Sequence, residues 1–99
     1  MNVISRRGLL QLLEGKPKDV VKEVTVWFRI AQSAEWSELI SVRDYFKDAD
    51  LIKGKLVFNI RHNRFRLIVL PVFEAKKLYL KALLTHQEYD QGGWKTKWP

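Results

Sequence analysis

The alternation of apolar and polar residues on the two sides of His62-Asn63 constrains the fold more than any other feature. Residues 56–60 read LVFNI and residues 65–69 read FRLIV, so apolar side chains recur at every second position. This period of two is typical of β-strands, and two such runs around a short polar loop predict a β-hairpin. We expect a two-residue loop in which Asn63 adopts the positive φ. The resulting register sets Ile60 opposite Phe65, Asn59 opposite Arg66, Phe58 opposite Leu67 and Leu56 opposite Val69.

This register sorts the hairpin side chains onto two faces. The first face is apolar and is predicted to be the core; it carries Leu56, Phe58, Ile60, Phe65, Leu67 and Val69. The second face carries Asn59, Arg61, Arg64 and Arg66. Like charges that face each other destabilise a sheet, and the planar guanidinium group suits phosphate. The pattern therefore favours an anion-binding patch, although Arg61 and Arg64 could instead extend into solvent beside the turn.

One further turn and a proline mark the second half. Ala75-Lys76 separates the run ending at Phe73 from a strand over Leu78–Leu84, which predicts a three-stranded antiparallel meander. Pro71 lacks a backbone donor, so it predicts a bulge or an edge position.

The first half has helical spacing instead. After a short strand at Met1–Ile4, Ser5 is a candidate N-cap for a helix to Glu14. A second helix is predicted over Pro17–Ala34, with a strand near residues 24–30 as the alternative, and Ser41 with Asp44 suggests a short helix to Lys47. The expected fold class is α+β, with N-terminal helices packed on an antiparallel β-sheet in a single domain over residues 1–99.

Charge is distributed unevenly along the chain. Residues 1–50 carry eight basic and eight acidic side chains, whereas residues 51–99 carry ten and three. Such asymmetry suggests a polyanionic or acidic partner, or simply a solvated basic surface. The chain has no cysteine, no apolar run near the roughly 20 residues of a spanning helix, and no signal-peptide pattern at Met1–Glu14. We therefore expect a cytoplasmic protein without a membrane segment or a cofactor.

The stretch THQEYD, residues 85–90, gathers groups that can carry chemistry. Thr85 and Glu88 match a helix capping box, and Leu84 with Tyr89 could form the hydrophobic staple. The helix is expected to end at Gly92-Gly93, and its N-terminus would present N–H groups to an anion. His86 suits proton transfer near neutral pH, or is a hydrogen-bonded surface histidine. Neither a second nearby histidine nor a cysteine is present, so we expect no metal site.

These features together suit RNA cleavage by the 2′-hydroxyl of the RNA itself. That reaction needs a base, an acid and cations around the phosphorane, but no metal. The residues alone do not separate cleavage from plain RNA binding. A protein-interaction module with a basic face is a third reading, from another functional class.

The motifs also resemble a known family. VFNI (Val57–Ile60), the run Asn63–Ile68, THQEYD (Thr85–Asp90) and the final G-x-W-K (Gly92–Lys95) occur in order at the spacing of the HigB-type toxins of the RelE-like superfamily. The resemblance implies a microbial-RNase-like α+β fold and a toxin that cleaves translated mRNA in the ribosomal A site. It also implies a helix-turn-helix antitoxin resembling HigA as partner.

The resemblance further implies roles for individual residues. Arg66 would stabilise the phosphorane, His86 would act as acid or base, Tyr89 would stack on or position a base, and Asn59 matches the family asparagine. We assign RNA binding to a further set of cations: Lys55, Arg61, Arg64 and Lys95. The family often has glycine where this chain has Arg61 and His62, and its strand usually lacks Pro71. Trp94 is expected to pack on the core, and the sequence assigns no role to Trp98.

Overall fold

The computed structural model describes residues 1–97, and its centre is a five-stranded sheet in the order β1-β5-β4-β3-β2. The strands are β1 (Asn2–Ile4), β2 (Asp50–Ile52), β3 (Lys55–Ile60), β4 (Phe65–Val72) and β5 (Lys77–Thr85). The helices are α1 (Leu9–Leu13), α2 (Lys18–Ser33), α3 (Leu39–Arg43), α4 (His86–Gln91) and α5 (Trp94–Lys97), with a 3-10 turn at Phe73–Ala75. The α+β class is confirmed.

The hairpin register is confirmed pair by pair. Ile60 lies opposite Phe65, Asn59 opposite Arg66, Phe58 opposite Leu67 and Leu56 opposite Val69. Strand β5 continues the meander on the other side of β4, as the turn at Ala75-Lys76 predicted. The sheet is mixed rather than wholly antiparallel, because β1 pairs with β5 in the parallel direction.

The loop of the hairpin differs from the two-residue turn that we predicted. Residues 61–64 form the loop, and the positive φ values fall on Arg61 (50°) and His62 (59°) instead of Asn63. The N–H of Arg64 donates to the carbonyl of Arg61 at 3.2 Å, which closes the turn. Left-handed backbone is where glycine is favoured, so these two side chains occupy positions that strain an L-residue.

Two layers of side chains cover the sheet. On one face, α2 buries Val20, Val24, Trp27 and Ala31 against the apolar hairpin residues, as the helical spacing predicted. On the opposite face, Trp94 packs on Val57 and Ile68 in a smaller cluster. The prediction that Trp94 is a packing residue is confirmed, and Trp98 lies outside the described residues.

Several local predictions were wrong. Gly8, not Ser5, is the N-cap of α1. The short elements β2 and α5 were not predicted. The N-cap of α3 is Glu38, and Ser41 is its N3 partner in the capping box rather than a cap itself. The edge position predicted for Pro71 is confirmed. Pro71 pairs with Leu78 of β5 on one side, but the pairing of β4 with β3 on the other side ends at Val69, so this part of β4 is an edge. Within residues 1–97, no helix has the length and apolarity to cross a membrane.

Candidate active site and nucleic-acid interface

The candidate site lies where the ends of three adjacent strands bring polar residues together. Asn59 of β3, Arg66 of β4 and Leu84 of β5 form one row across the sheet, on the face opposite α2. His86 is the first residue of α4 and follows Leu84 by two positions. Its backbone N–H donates to the carbonyl of Arg64 at 3.0 Å. The register therefore holds Asn59, Arg66 and the first turn of α4 at one edge of the fold.

Helix α4 begins as the sequence predicted. Oγ1 of Thr85 accepts from the Glu88 N–H at 3.2 Å, and Oε1 of Glu88 accepts from the Thr85 N–H at 2.9 Å. Leu84 and Tyr89 both pack against the cluster of Val57, Ile68 and Trp94, and Gly92 ends the helix with φ of 77°. The capping roles of Thr85 and Glu88 are confirmed. Because the N–H groups of His86 and Glu88 already have protein acceptors, the helix start is less open to an anion than we expected.

His86 makes a side-chain contact within α4 that the sequence did not predict. Its Nδ1 lies 2.8 Å from Oδ2 of Asp90, and both side chains are more than half exposed. Because Nδ1 is the ring nitrogen beside Asp90, Nε2 is the other imidazole nitrogen and is the one placed to exchange a proton with a ligand. The i,i+4 spacing of the two residues was the signal, since it places them on one helix face. Asp90 thus joins the candidate site as the group that orients the imidazole.

Within residues 1–97, Arg66 contacts an aromatic side chain and pairs with no carboxylate. Its guanidinium carbon lies 4.9 Å from the ring centroid of Tyr89. Its other contacts are the Phe65 carbonyl at 3.3 Å and a long contact to Asn63 Oδ1 at 3.5 Å. A cation that stacks on a ring and is not neutralised keeps its charge available for a phosphate. The side chain is half-buried.

The Tyr89 ring is engaged within the protein. It stacks on Trp94 with centroids 5.1 Å apart and planes 17° apart, and the indole Nε1 of Trp94 donates to the Tyr89 carbonyl at 3.0 Å. Within the protein the ring joins Trp94 to Arg66. Its role in stacking on or positioning an RNA base stays a prediction.

Arg61 and Arg64 do not share the patch of Arg66, contrary to the predicted common face. Both form ion pairs with Asp19 of α2, at 3.2 Å and 2.8 Å, and the Arg61 N–H donates to Glu23. Desolvation acts to raise the pKa of Asp19, but the Arg64 hydrogen bond and charge, with the Val20 N–H and Arg61, lower it overall. The loop conformation turns the two arginines toward α2, because residues beyond Ile60 leave the strand geometry.

Lys55 is also unsuited to the RNA contact that we predicted for it. The residue is 2% exposed, and its Nζ donates to the carbonyls of Lys95 at 3.0 Å and Lys53 at 3.4 Å. The lysine lies beneath α5 rather than at the surface. Lys95 is exposed, so its predicted RNA contact remains a prediction.

A basic cleft lies between α1, β5 and the C-terminal helices. It has a volume of about 480 Å³. Four cations line it, namely Arg7, Lys16, Lys81 and Lys97, together with Glu88 and Gln91 of α4. Glu88 already accepts from the Thr85 N–H. With four cations and one carboxylate, the cleft carries a net positive charge, which favours a polyanion.

Comparison with known proteins agrees with this architecture. The chain is 28% identical over 93 residues to the mRNA interferase toxin HigB of Escherichia coli K12, covering 91% of this chain and 88% of that protein. The mRNA interferases HigB of Escherichia coli O157:H7 and Shigella flexneri match to the same extent. The family model of HigB toxins, described as the RelE-like toxic component of a toxin–antitoxin system, matches residues 21–92. The resemblance seen in the motifs is confirmed, and the protein belongs to the HigB toxin family.

Proposed function

We propose that this toxin is an endoribonuclease that cleaves mRNA on the translating ribosome, using Arg66 and His86. The proposal rests on the neighbouring ends of β4 and β5. There Arg66, which makes no ion pair within residues 1–97, lies opposite Leu84, and His86 with its Asp90 contact follows Leu84 by two positions. The relatives in Escherichia coli and Shigella flexneri are named mRNA interferases, which supports the same substrate for this chain.

The proposed reaction is transfer of the phosphodiester to the neighbouring 2′-hydroxyl. The 2′-oxygen attacks phosphorus, its proton passes to a base, and the bond from phosphorus to the 5′-oxygen breaks as that oxygen takes up a proton. The products are a 2′,3′-cyclic phosphate and a free 5′-hydroxyl. His86 performs one of the two proton transfers through Nε2, while Asp90 holds Nδ1.

Arg66 is proposed to stabilise the charge that develops on the phosphorane. Preorganised cations are among the largest contributions to such reactions. Asn59 lies directly opposite Arg66 in the register, so its amide is placed to orient the scissile phosphate or the flanking sugar. Lys95 and the cations of the basic cleft are proposed to hold the RNA backbone on either side.

The partners follow from the same proposal. Membership of a toxin–antitoxin family implies an antitoxin. We propose that the antitoxin is a helix-turn-helix protein resembling HigA and that the site of action is the ribosomal A site, in the cytoplasm.

A purified bacterial translation reaction with a defined mRNA tests the proposal. We expect cuts only when ribosomes are present, with new 5′ ends that a polynucleotide kinase can label without prior phosphatase treatment. Cleavage of the same mRNA without ribosomes would contradict ribosome dependence. Ends carrying a 5′-phosphate would contradict attack by the 2′-hydroxyl, and intact mRNA on ribosomes that bind the protein would leave an RNA-binding domain.

A further inference from the structure

Lys55 is the only charged residue within the described chain that is almost fully buried. Removing an ammonium group from water is unfavourable unless hydrogen bonds satisfy it, and an apolar residue of similar volume is often at least as stable. Its hydrogen bond to the Lys95 carbonyl spans forty positions of sequence and joins the start of β3 to α5. The buried lysine therefore fixes where α5 lies on the sheet.

Helix α5 depends on such contacts. It contains only four residues, and a helix this short is not stable by itself in water. Two features tie it to the sheet: the Lys55 ammonium on its Lys95 carbonyl, and the burial of Trp94 against Val57 and Ile68.

Trp94 connects α5 to the candidate site. It contacts Tyr89 twice, through ring stacking at 5.1 Å and through its indole N–H to the Tyr89 carbonyl at 3.0 Å. The Tyr89 ring in turn lies 4.9 Å from the Arg66 guanidinium carbon. A continuous series of contacts thus runs from Lys55 through α5 and Tyr89 to Arg66.

We propose that Lys55 and Trp94 are positioning residues for Arg66. Both side chains are buried, so they are placed to act on Arg66 through Tyr89. They hold Tyr89 in the place where its ring confines the long and otherwise mobile arginine side chain. A displacement of about 1 Å in a group that stabilises the transition state can lower a rate about 100-fold, so this confinement matters for catalysis. The inference rests on the proposed function of Arg66.

The test uses Lys55→Met, which keeps the apolar stem but removes the ammonium, and Trp94→Ala. Lys47→Met, an exposed lysine on the same chain, is the control for loss of one charge. We expect Lys55→Met and Trp94→Ala to lower the single-turnover cleavage rate at saturating ribosomes by about 10- to 100-fold, with the concentration for half-maximal rate little changed. Trp94→Phe retains a ring for stacking and should lose less activity than Trp94→Ala.

Nuclear magnetic resonance of the free protein gives a readout that does not require cleavage. In Lys55→Met we expect faster hydrogen exchange of the Trp94 indole N–H. We also expect the Arg66 Hε resonance to move toward its position in Tyr89→Leu, which lacks the ring current. An Arg66 resonance that is unchanged in Lys55→Met and Trp94→Ala would overturn the inference, whether or not the wild-type protein cleaves RNA. Wild-type cleavage rates in both variants, once unfolded protein is subtracted, would overturn it equally. Failure of the wild-type protein to cleave would instead contradict the proposed function.

Discussion

The Nδ1 atom of His86 lies 2.8 Å from Oδ2 of Asp90, one helical turn further along α4. This contact places Nδ1 beside the carboxylate and leaves Nε2 as the other imidazole nitrogen of the candidate site. Both residues belong to a six-residue helix whose start is fixed by a capping box. The position of the imidazole thus depends on Thr85 and Glu88 as well as on Asp90.

Replacement of Asp90 should impair catalysis less than replacement of His86. We expect His86→Ala to lower the single-turnover rate by about 10²- to 10⁴-fold, the range for loss of a general acid or base. Asp90→Asn should lower the single-turnover rate by about 10-fold, because the imidazole remains but is held less firmly in its orientation. Asp48→Asn, at an exposed position, is the control for the loss of one negative charge. Equal rates for Asp90→Asn and Asp48→Asn would show that Asp90 does not assist His86.

The capping box of α4 should contribute measurably to stability. Thr85→Ala removes the side chain that accepts from the Glu88 N–H, and we expect the free energy of unfolding to fall by about 1 kcal/mol. Urea denaturation checks this value. Thr96→Ala, at an exposed position in α5, should change stability much less. Equal losses for the two variants would argue against the cap as the cause.

The hairpin loop should be stabilised by glycine. His62 has φ of 59°, a conformation that costs an L-residue roughly 1–2 kcal/mol but costs glycine little. After allowance for the greater freedom of glycine in the unfolded chain, His62→Gly should raise the free energy of unfolding by about 0.5–1 kcal/mol. His62→Ala is the matched control, since alanine keeps the strain. A less stable glycine variant would show that the loop adopts another conformation.

The pairing of Asp19 with Arg61 and Arg64 predicts a pH dependence of stability. The pKa of Asp19 is lowered in the folded protein, so its ionised form favours folding. This contribution is fully present above the unfolded pKa, about 3.9, and is lost as pH falls through the lower folded pKa. Asp19→Asn should therefore lower the melting temperature at neutral pH. The difference from wild type should shrink as pH falls below about 4, and a difference that grows there would contradict the ion pairs.

The basic cleft should contribute to RNA affinity through charge alone. We would measure binding of labelled single-stranded RNA in a His86→Ala background, with Arg7, Lys16 and Lys81 replaced by alanine. If each contacts one phosphate, the slope of log affinity against log salt should fall in magnitude by about 2 in total. The control replaces Lys18, Lys22 and Arg29 of α2, which removes the same charge from another surface. Equal slopes in the two variants would indicate a nonspecific charge effect.

The comparison of sequence with structure shows where local pattern is informative. The alternation in β3 and β4 set the register, and with it the opposition of Asn59 and Arg66, because a period of two leaves only one arrangement with a buried face. The capping box at the start of α4 could be predicted because the side chains of Thr85 and Glu88 each bond to the backbone N–H of the other residue, three positions away. Both features depend on neighbours in sequence or on directly paired strands.

Several errors at the candidate site concern contacts between distant parts of the chain. Nothing in the residues around Lys55 shows that α5 covers it, because its main partner is forty positions away. Arg61 and Arg64 were placed by extrapolating strand geometry into a loop, and the acceptor that attracts them lies on α2. The engagement of Tyr89 likewise required knowing that Trp94 returns onto the sheet.

The most direct test of the central claim is Arg66→Ala, assayed for ribosome binding and mRNA cleavage in the same reaction. Arg66 makes no ion pair within residues 1–97, so its removal should leave the fold intact. We predict that the variant binds ribosomes with nearly wild-type affinity and that the A-site cuts mapped by primer extension disappear. Cuts that persist at the wild-type rate would contradict the assignment of phosphorane stabilisation to Arg66, and with it the account of the active site.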